Sequence, residues 1–310
     1  MSATSRVALV SHPDCLRHNL GAGHPEQPAR ITAIENALKE SGLWSVLEHV
    51  RPEVASRVAL ERVHTARYLD SLIDATPRSG LEWLDADTGL CLTSWDAALH
   101  AAGSGIRAVD DILAGKYQRA FCNVRPPGHH AESGRAMGFC LVNNIAVAAL
   151  HALAQPGISR VVIADFDVHH GNGTEDIFST DRRVLLVSSF QHPLYPYSGT
   201  HAHDGYVPLP LSAQADGEAF RQAWRSEGLP RLESFRADFI FISAGFDGHR
   251  DDPLAGLNLL EGDYVWLTRE ICAIADRTAH GRVVSMLEGG YDLAALGRSA
   301  AAHIRTLIDA

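Results

Sequence analysis

Cysteine is scarce and scattered. The five residues, Cys15, Cys91, Cys122, Cys140 and Cys272, are odd in number, and no Cys-x-x-Cys occurs. This argues against a disulfide framework or a zinc ribbon and points to reduced, cytoplasmic thiols. Positive charge is also short. Lys and Arg total 27 against 37 Asp and Glu, a formal net charge of −10. That balance disfavours nucleic acid as a direct partner and suits a cationic one. No apolar run reaches transmembrane length, so no membrane partner is expected. The N-terminal Met-Ser-Ala-Thr-Ser-Arg leads straight into Val7–Val10, without the apolar segment of an export signal. Internal repeats, low-complexity tracts and long linkers are missing too.

What is present is an ordinary globular composition, with 46% apolar and 21% charged residues among 310. Strand-like apolar runs recur at 7–10, 120–124, 160–164, 184–188, 238–243 and 282–287. Helical patterns lie between them at 28–40, 65–75, 94–114, 143–154, 216–226, 261–279 and 292–308. Pro28 suits a helix start, and Gly115, Gly157 and Gly281 sit where helices should stop. The 94–114 helix carries its alanines and Ile106, Val109 and Leu113 at core spacing. Alternating strands and helices imply an α/β fold: one three-layer αβα domain over residues 1–310 around a mostly parallel sheet.

The chemistry concentrates in residues 160–174, Arg-Val-Val-Ile-Ala-Asp-Phe-Asp-Val-His-His-Gly-Asn-Gly-Thr. The run Val161–Ala164 reads as a buried strand, and alternation puts Asp165, Asp167 and His169 on one side. The carboxyl end of such a strand is where open α/β sheets bind ligands. Two distant segments join it. Residues 125–130 are Arg-Pro-Pro-Gly-His-His; residues 243–249, Ser-Ala-Gly-Phe-Asp-Gly-His, follow the apolar run Phe239–Ile242. Asp167, His169 and Asp247 would make a three-ligand metal site with an open position. His129 and His130 would supply acid–base chemistry. Zinc is the first choice, one ion per chain; ferrous iron or cobalt would also fit oxygen and nitrogen donors.

With Glu288-Gly-Gly-Tyr291 added, the four motifs in this order resemble the zinc-dependent histone deacetylase family. Within it the chain is most similar to the class II and bacterial deacetylase-like amidohydrolases, from about Ser11 to the C-terminus. The resemblance implies the arginase–deacetylase fold and a set of roles. His129 pairs with Asp165, and His130 with Asn172, which is Asn as in class II. His130 moves protons and His129 assists electrostatically. Tyr291 donates to the developing oxyanion. Gly138, Phe139, Tyr195 and Gly290 shape a narrow substrate tunnel. Leu254 stands where acetylpolyamine-preferring members have a gatekeeper Glu, which tilts the substrate towards acyl-lysine. Arg30, in Gly21-Ala-Gly-His-Pro-Glu-Gln-Pro-Ala-Arg30, matches an arginine on an internal channel. Asp87 and Thr88, in a polar loop at 76–93, are candidates to hold the substrate backbone. Asn143 and Asn144 cap the next helix. His170 faces away from the metal.

The resemblance also implies two structural potassium sites. The inner one uses Asp165, Asp167, His169, Ser188 and Ser189; the outer one uses Phe178, Asp181 and Val184. The 199–206 loop is shorter than the family's, with Tyr206 where Asn is common and with His201 and His203 as solvated loop histidines.

The expected function is therefore a metal-dependent amide hydrolase that removes acetyl or similar groups from lysine side chains, on a peptide or protein, or from small primary amines. An acetylpolyamine amidohydrolase is the near rival, and a two-metal hydrolase of the arginase type a distant one. A catalytically silent acyl-amine binder is the rival of another class. Self-association stays open.

Overall fold

The computed structural model describes residues 7–310. Met1–Arg6, read above as lacking an export signal, lie outside the described residues. The chain begins with β1 (Val7–Val10), α1 (Ala29–Glu40) and β2 (Glu48–Val50). Two short helices follow, α2 (Arg57–Glu61) and α3 (Ala66–Ala75), then a hairpin of β3 (Leu81–Trp83) and β4 (Gly89–Cys91). The middle comprises α4 (Ser94–Leu113), β5 (Arg119–Cys122), α5 (Asn144–Leu153), β6 (Val161–Asp165), α6 (Asn172–Phe178), β7 (Val184–Gln191) and β8 (Tyr206–Leu211). The last third holds α7 (Gly217–Ala223), α8 (Leu229–Phe235), β9 (Phe239–Ala244), α9 (Glu261–Thr278), β10 (Val283–Leu287) and α10 (Leu293–Asp309).

Eight strands form one sheet in the order β2-β1-β5-β10-β9-β6-β7-β8, and every pairing is parallel. The apolar strand runs are continuous because both faces are covered. In β6, Val161 and Ile163 pack into the core under α4 and α5, while Val162 and Ala164 pack into the core under α1, α9 and α10. In β9, Phe239 and Phe241 face the first core, Ile240 and Ile242 the second. The result is three layers. The four central neighbours are β5, β10, β9 and β6, so the segments leaving their carboxyl ends stand side by side. Those segments are the four motifs.

The expected elements recur with shifted ends, and Gly115, Gly157 and Gly281 all take left-handed φ; Gly115 and Gly281 follow the ends of α4 and α9, whereas Gly157 lies in the turn beyond α5, which ends at Leu153. Several features differ from expectation. β8, which is not among the expected strands, contains Pro208 and Pro210. It is the edge strand, where missing N–H groups cost no ladder bond. The 199–206 loop accordingly ends at Gly205, and Tyr206 is a buried strand residue whose hydroxyl donates to Gly199 O at 2.9 Å. The helix expected over 216–226 runs on through a wide turn, Trp224–Gly228, into α8. Pro230 fits the first turn of the renewed helix. The 76–93 loop contains the β3–β4 hairpin, closed by an Asx turn in which Asp85 Oδ1 accepts from Asp87 N and Thr88 N. Among the described residues, no helix is long and apolar enough to cross a membrane.

Candidate active site

Strand β6 ends at Asp165, yet the alternation of sides continues. Phe166 and Val168 stay in the core, and Asp167 is fully buried on the other side. Asp167 Oδ1 accepts from His169 N at 2.9 Å, and its Oδ2 accepts from Gly289 N at 2.8 Å. Asp247, after β9, accepts from Val168 N at 2.9 Å. His169 Nδ1 then lies 3.1 Å from Asp167 Oδ1 and 3.1 Å from Asp247 Oδ2. One ligand atom from each of the three lies within 4.8 Å of the others.

Burial and the Asp167 charge push Asp247 up, and a cation between the two carboxylates would relieve that cost. Burial draws His169 down, but its bonds to Asp167 and Asp247 outweigh that and raise it to about 10. Burial pushes Asp167 up, but His129 and His169 outweigh it and hold the carboxyl well below its ordinary range. Oxygen, oxygen and nitrogen donors fit a divalent ion of the zinc type. Gly289 leaves the room: a Cβ there would collide with the Asp247 and Asp167 carboxylates. A second group, His12, Asp14 and His100, has its imidazoles stacked at 3.5 Å and 2°. Asp14 lies 3.6 Å from His12 and 3.3 Å from His100, so this partly exposed group reads as an ion-pair cluster.

His129 and His130 leave the stiff Pro126-Pro127 approach after β5 and are both buried. His129 Nδ1 is 3.0 Å from Asp165 Oδ2, and His130 Nδ1 is 2.8 Å from Asn172 Oδ1. Burial lowers His129, but the Asp167 and Asp165 charges win and raise it well above its ordinary value. His130 goes the other way, pushed well down by burial and by the His129 and His169 charges. Asn172 Nδ2 donates to Glu132 Oε1 at 2.8 Å, which fixes the amide with its oxygen towards His130. His130 therefore carries its proton on Nδ1 and leaves Nε2 as an acceptor.

A cavity of about 250 Å³ leads in from the surface between Phe139 and Tyr195, with Leu254, Gly138 and Asp87 on its walls. His130, His169 and Tyr291 also line it. Tyr195 stands edge-on to His130 at 5.3 Å, and Phe139 edge-on to Tyr291 at 5.8 Å. Phe139 holds a left-handed φ of 68°, strained for an aromatic residue, and its N–H donates to Thr88 Oγ1 at 3.1 Å. Gly138 also has positive φ, and a Cβ there would strike the His130 ring. A larger hollow, about 710 Å³, lies at α1, α9 and α10. It is lined by Arg269, Arg298 and Arg305 and belongs to no metal-ligating group among the described residues.

Comparison with known proteins agrees with this geometry. The model of the histone deacetylase domain matches residues 24–307. A histone deacetylase-like amidohydrolase of Pseudomonas aeruginosa is 37% identical over 278 residues, covering 87% of this chain and 73% of that protein. A probable deacetylase of Archaeoglobus fulgidus is 36% identical over 296 residues, covering 93% and 82%. The crystal structure of the HDA15 HD domain aligns with a TM-score of 0.93 at 34% identity, covering 99% of this chain and 89% of that one.

The chain belongs to the histone deacetylase family.

As a histone deacetylase domain it carries, around the tunnel, a frame of buried charge in which Arg30 was expected and the residues around it were not. Arg30 is fully buried and donates to Gly290 O at 2.6 Å and to Glu288 O at 2.5 Å. Its guanidinium sits 4.9 Å from the Tyr291 ring centroid. Glu26 joins Arg30, Arg125 and His18 in one buried cluster. Burial pushes Glu26 up, but Arg125 and His18 outweigh it and keep the carboxyl ionised. Glu288, quoted above only as part of a motif, accepts from Gly128 N at 2.7 Å and His129 N at 3.2 Å. It holds the histidine turn from beneath. Its signal was an acid directly after a buried strand. Asp252 was missed too; an acid followed by Pro in a loop gave little to read.

The remaining family positions fall as follows. Asp87 lines the cavity mouth, whereas Thr88 is buried and engages Asp87 and Phe139. Asn143 caps α5, accepting from Ala146 N, while Asn144 Nδ2 donates to Pro126 O. His170 faces Ser198 and Glu175, away from the ligands. His201 and His203 are exposed, and His203 lies 3.4 Å from Glu175. Ser188 and Ser189, beside Asp165 at the sheet end, are buried with hydroxyls that have no hydrogen-bond partner among the described residues. Phe178 and Asp181 line a surface hollow with Gly205, and Val184 N donates to Asp181 O at 3.0 Å.

Proposed function

We propose that this chain is a metal-dependent amide hydrolase that removes acetyl or a similar acyl group from lysine side chains or related primary amines. The observation that carries this reading is the convergence of His130, His169 and Tyr291 in one cavity walled by Phe139 and Tyr195. An apolar slot with polar groups only at its inner end suits a methylene stem with a terminal amide.

Asp167, His169 and Asp247 would hold one divalent ion, zinc by preference. When bound, that ion supplies polarisation of the acyl carbonyl and acidification of a water. His130, neutral and with a free Nε2, takes the proton of the attacking water and returns it to the leaving amine. His129, held cationic by Asp167 and Asp165, stabilises negative charge beside it. Burial keeps the Tyr291 phenol protonated, so it can donate to the oxyanion. Leu254 in the wall offers no charge to a distal ammonium, which favours acyl-lysine over acetylpolyamine.

The buried, unpartnered Ser188 and Ser189 hydroxyls fit an oxygen-lined inner potassium site with Asp165, Asp167 and His169. Phe178, Asp181 and Val184 are assigned to the outer one. We read residues 1–310 as one domain, since a single sheet takes strands from Val7 to Leu287 and Gly297 of α10 packs on Ala33 of α1. The five unpaired cysteines support a reducing, cytoplasmic setting.

The test is turnover of an acetyl-lysine peptide beside N-acetylputrescine, before and after chelation, with Tyr291→Phe as control. Chelator-sensitive turnover of the peptide, lost in the variant, is the expected result. Preference for the polyamine would transfer the assignment to the rival substrate. Absence of turnover of either amide with metal bound would remove the substrate class.

A further inference from the structure

The loop after Asp247 holds another buried carboxylate, Asp252, only 6% exposed. Its Oδ2 accepts from Tyr291 N at 2.6 Å and from Asp292 N at 3.2 Å. Its Oδ1 accepts from Leu254 N at 3.0 Å. One side chain thus ties the tunnel wall to the turn that carries the tyrosine. An unpaired carboxylate at this depth would be costly, and three N–H donors offset that cost.

The turn needs such an anchor. Gly289 and Gly290 precede Tyr291, and Gly290 has a φ of 123°, so the backbone there has wide freedom. Arg30 fixes the carbonyls of Glu288 and Gly290 from one side. Neither contact fixes the amide groups that follow. Asp252 does, at Tyr291 and at Asp292, whose own side chain caps α10 by accepting from Ala295 N at 2.8 Å. The backbone that carries the Tyr291 ring is therefore held at its preceding carbonyls by Arg30 and at its own and the next amide by Asp252.

We propose that Asp252 is a positioning residue for amide hydrolysis: it sets where the Tyr291 hydroxyl stands in the tunnel and couples that position to Leu254. This rests on the reading of Tyr291 as oxyanion donor. A displacement of about 1 Å in a catalytic group can cost about 10² in rate, so a backbone anchor is enough to matter.

The test uses Asp252→Ala and Asp252→Asn, each in the wild type and in a Tyr291→Phe background, with metal content and melting temperature recorded. Asp252→Ala should lower kcat on an acetyl-lysine peptide by roughly 30- to 100-fold with KM nearly unchanged. Asp252→Asn keeps one acceptor oxygen and should recover part of the loss. In the Tyr291→Phe background the same changes should cost little more, because the hydroxyl they position is gone. Equal losses in both backgrounds, or a loss through KM or metal content alone, would overturn the proposal. Should the wild type hydrolyse no amide, the proposed function fails separately, and hydrogen exchange then decides about Asp252. The Tyr291 and Asp292 amides should lose protection in Asp252→Ala while Gly289, bonded to Asp167, keeps it. Unchanged protection would overturn the proposal.

Discussion

His129 and His130 are adjacent in the chain with ring centroids 4.1 Å apart, yet their surroundings drive their protonation in opposite directions. His129 faces the Asp165 carboxylate at 3.0 Å; His130 faces the neutral Asn172 amide at 2.8 Å. Burial lowers both; the Asp167 and Asp165 charges reverse this at His129, whereas the His129 and His169 charges add to it at His130 and the neutral Asn172 does not reverse it.

Asn172→Asp should therefore shift the pH profile. His130 must be unprotonated to act as base, so activity is present above its pKa and falls as pH drops through it. A carboxylate at 172 stabilises the imidazolium and raises that pKa. The acid limb of kcat/KM should move to higher pH. A profile identical to the wild type would remove His130 from the base role.

Gly138→Ala should cost activity well beyond its cost in stability. The left-handed backbone disfavours a side chain, and the new Cβ meets the His130 ring. Displacing that ring should lower kcat by about 10². Steady-state kinetics beside a melting curve separates the two effects; full activity would mean that His130 tolerates the shift.

Leu254→Glu should change substrate choice. The side chain lines the tunnel, and a carboxylate there can pair with a distal ammonium. The ratio of kcat/KM for N-acetylputrescine over an acetyl-lysine peptide should rise by about two- to fivefold, the scale of one partly exposed charge pair. An unchanged ratio would show that the wall does not select.

Stability should fall on mild acidification, for a reason outside the active site. His303 is fully buried between Thr268 Oγ1 at 2.6 Å and Ser285 Oγ at 2.8 Å, and burial lowers it to about 3. The folded state resists a proton that the unfolded chain binds below its ordinary pKa near 6.5. The stability loss therefore begins as pH falls through about 6.5 and grows down to the folded value. At pH 5 it should reach about 2 kcal/mol. Denaturant titrations at about pH 7 and about pH 5 should give a smaller difference for His303→Gln than for the wild type; equal differences would exclude His303 as the source.

Much of this was legible in the chain. β-branched apolar runs separated by helical periods dictate a parallel sheet, because only burial on both faces tolerates such strands. Acids and histidines directly after those runs had to sit at the sheet's carboxyl edge. Asp167, His169 and Asp247 could be chosen on that ground. Tertiary structure decided which edges became neighbours. The order β5-β10-β9-β6 is a long-range choice, and it alone puts His129 over Glu288 and Tyr291 beside Asp252. Those two carboxylates hold backbone amides 159 and 39 residues away. A backbone N–H has the same chemistry at every position except proline, so its partner leaves no mark in composition or spacing. Side-chain identity determined what the site can do; the approach of main chain from distant strands determined where each group stands.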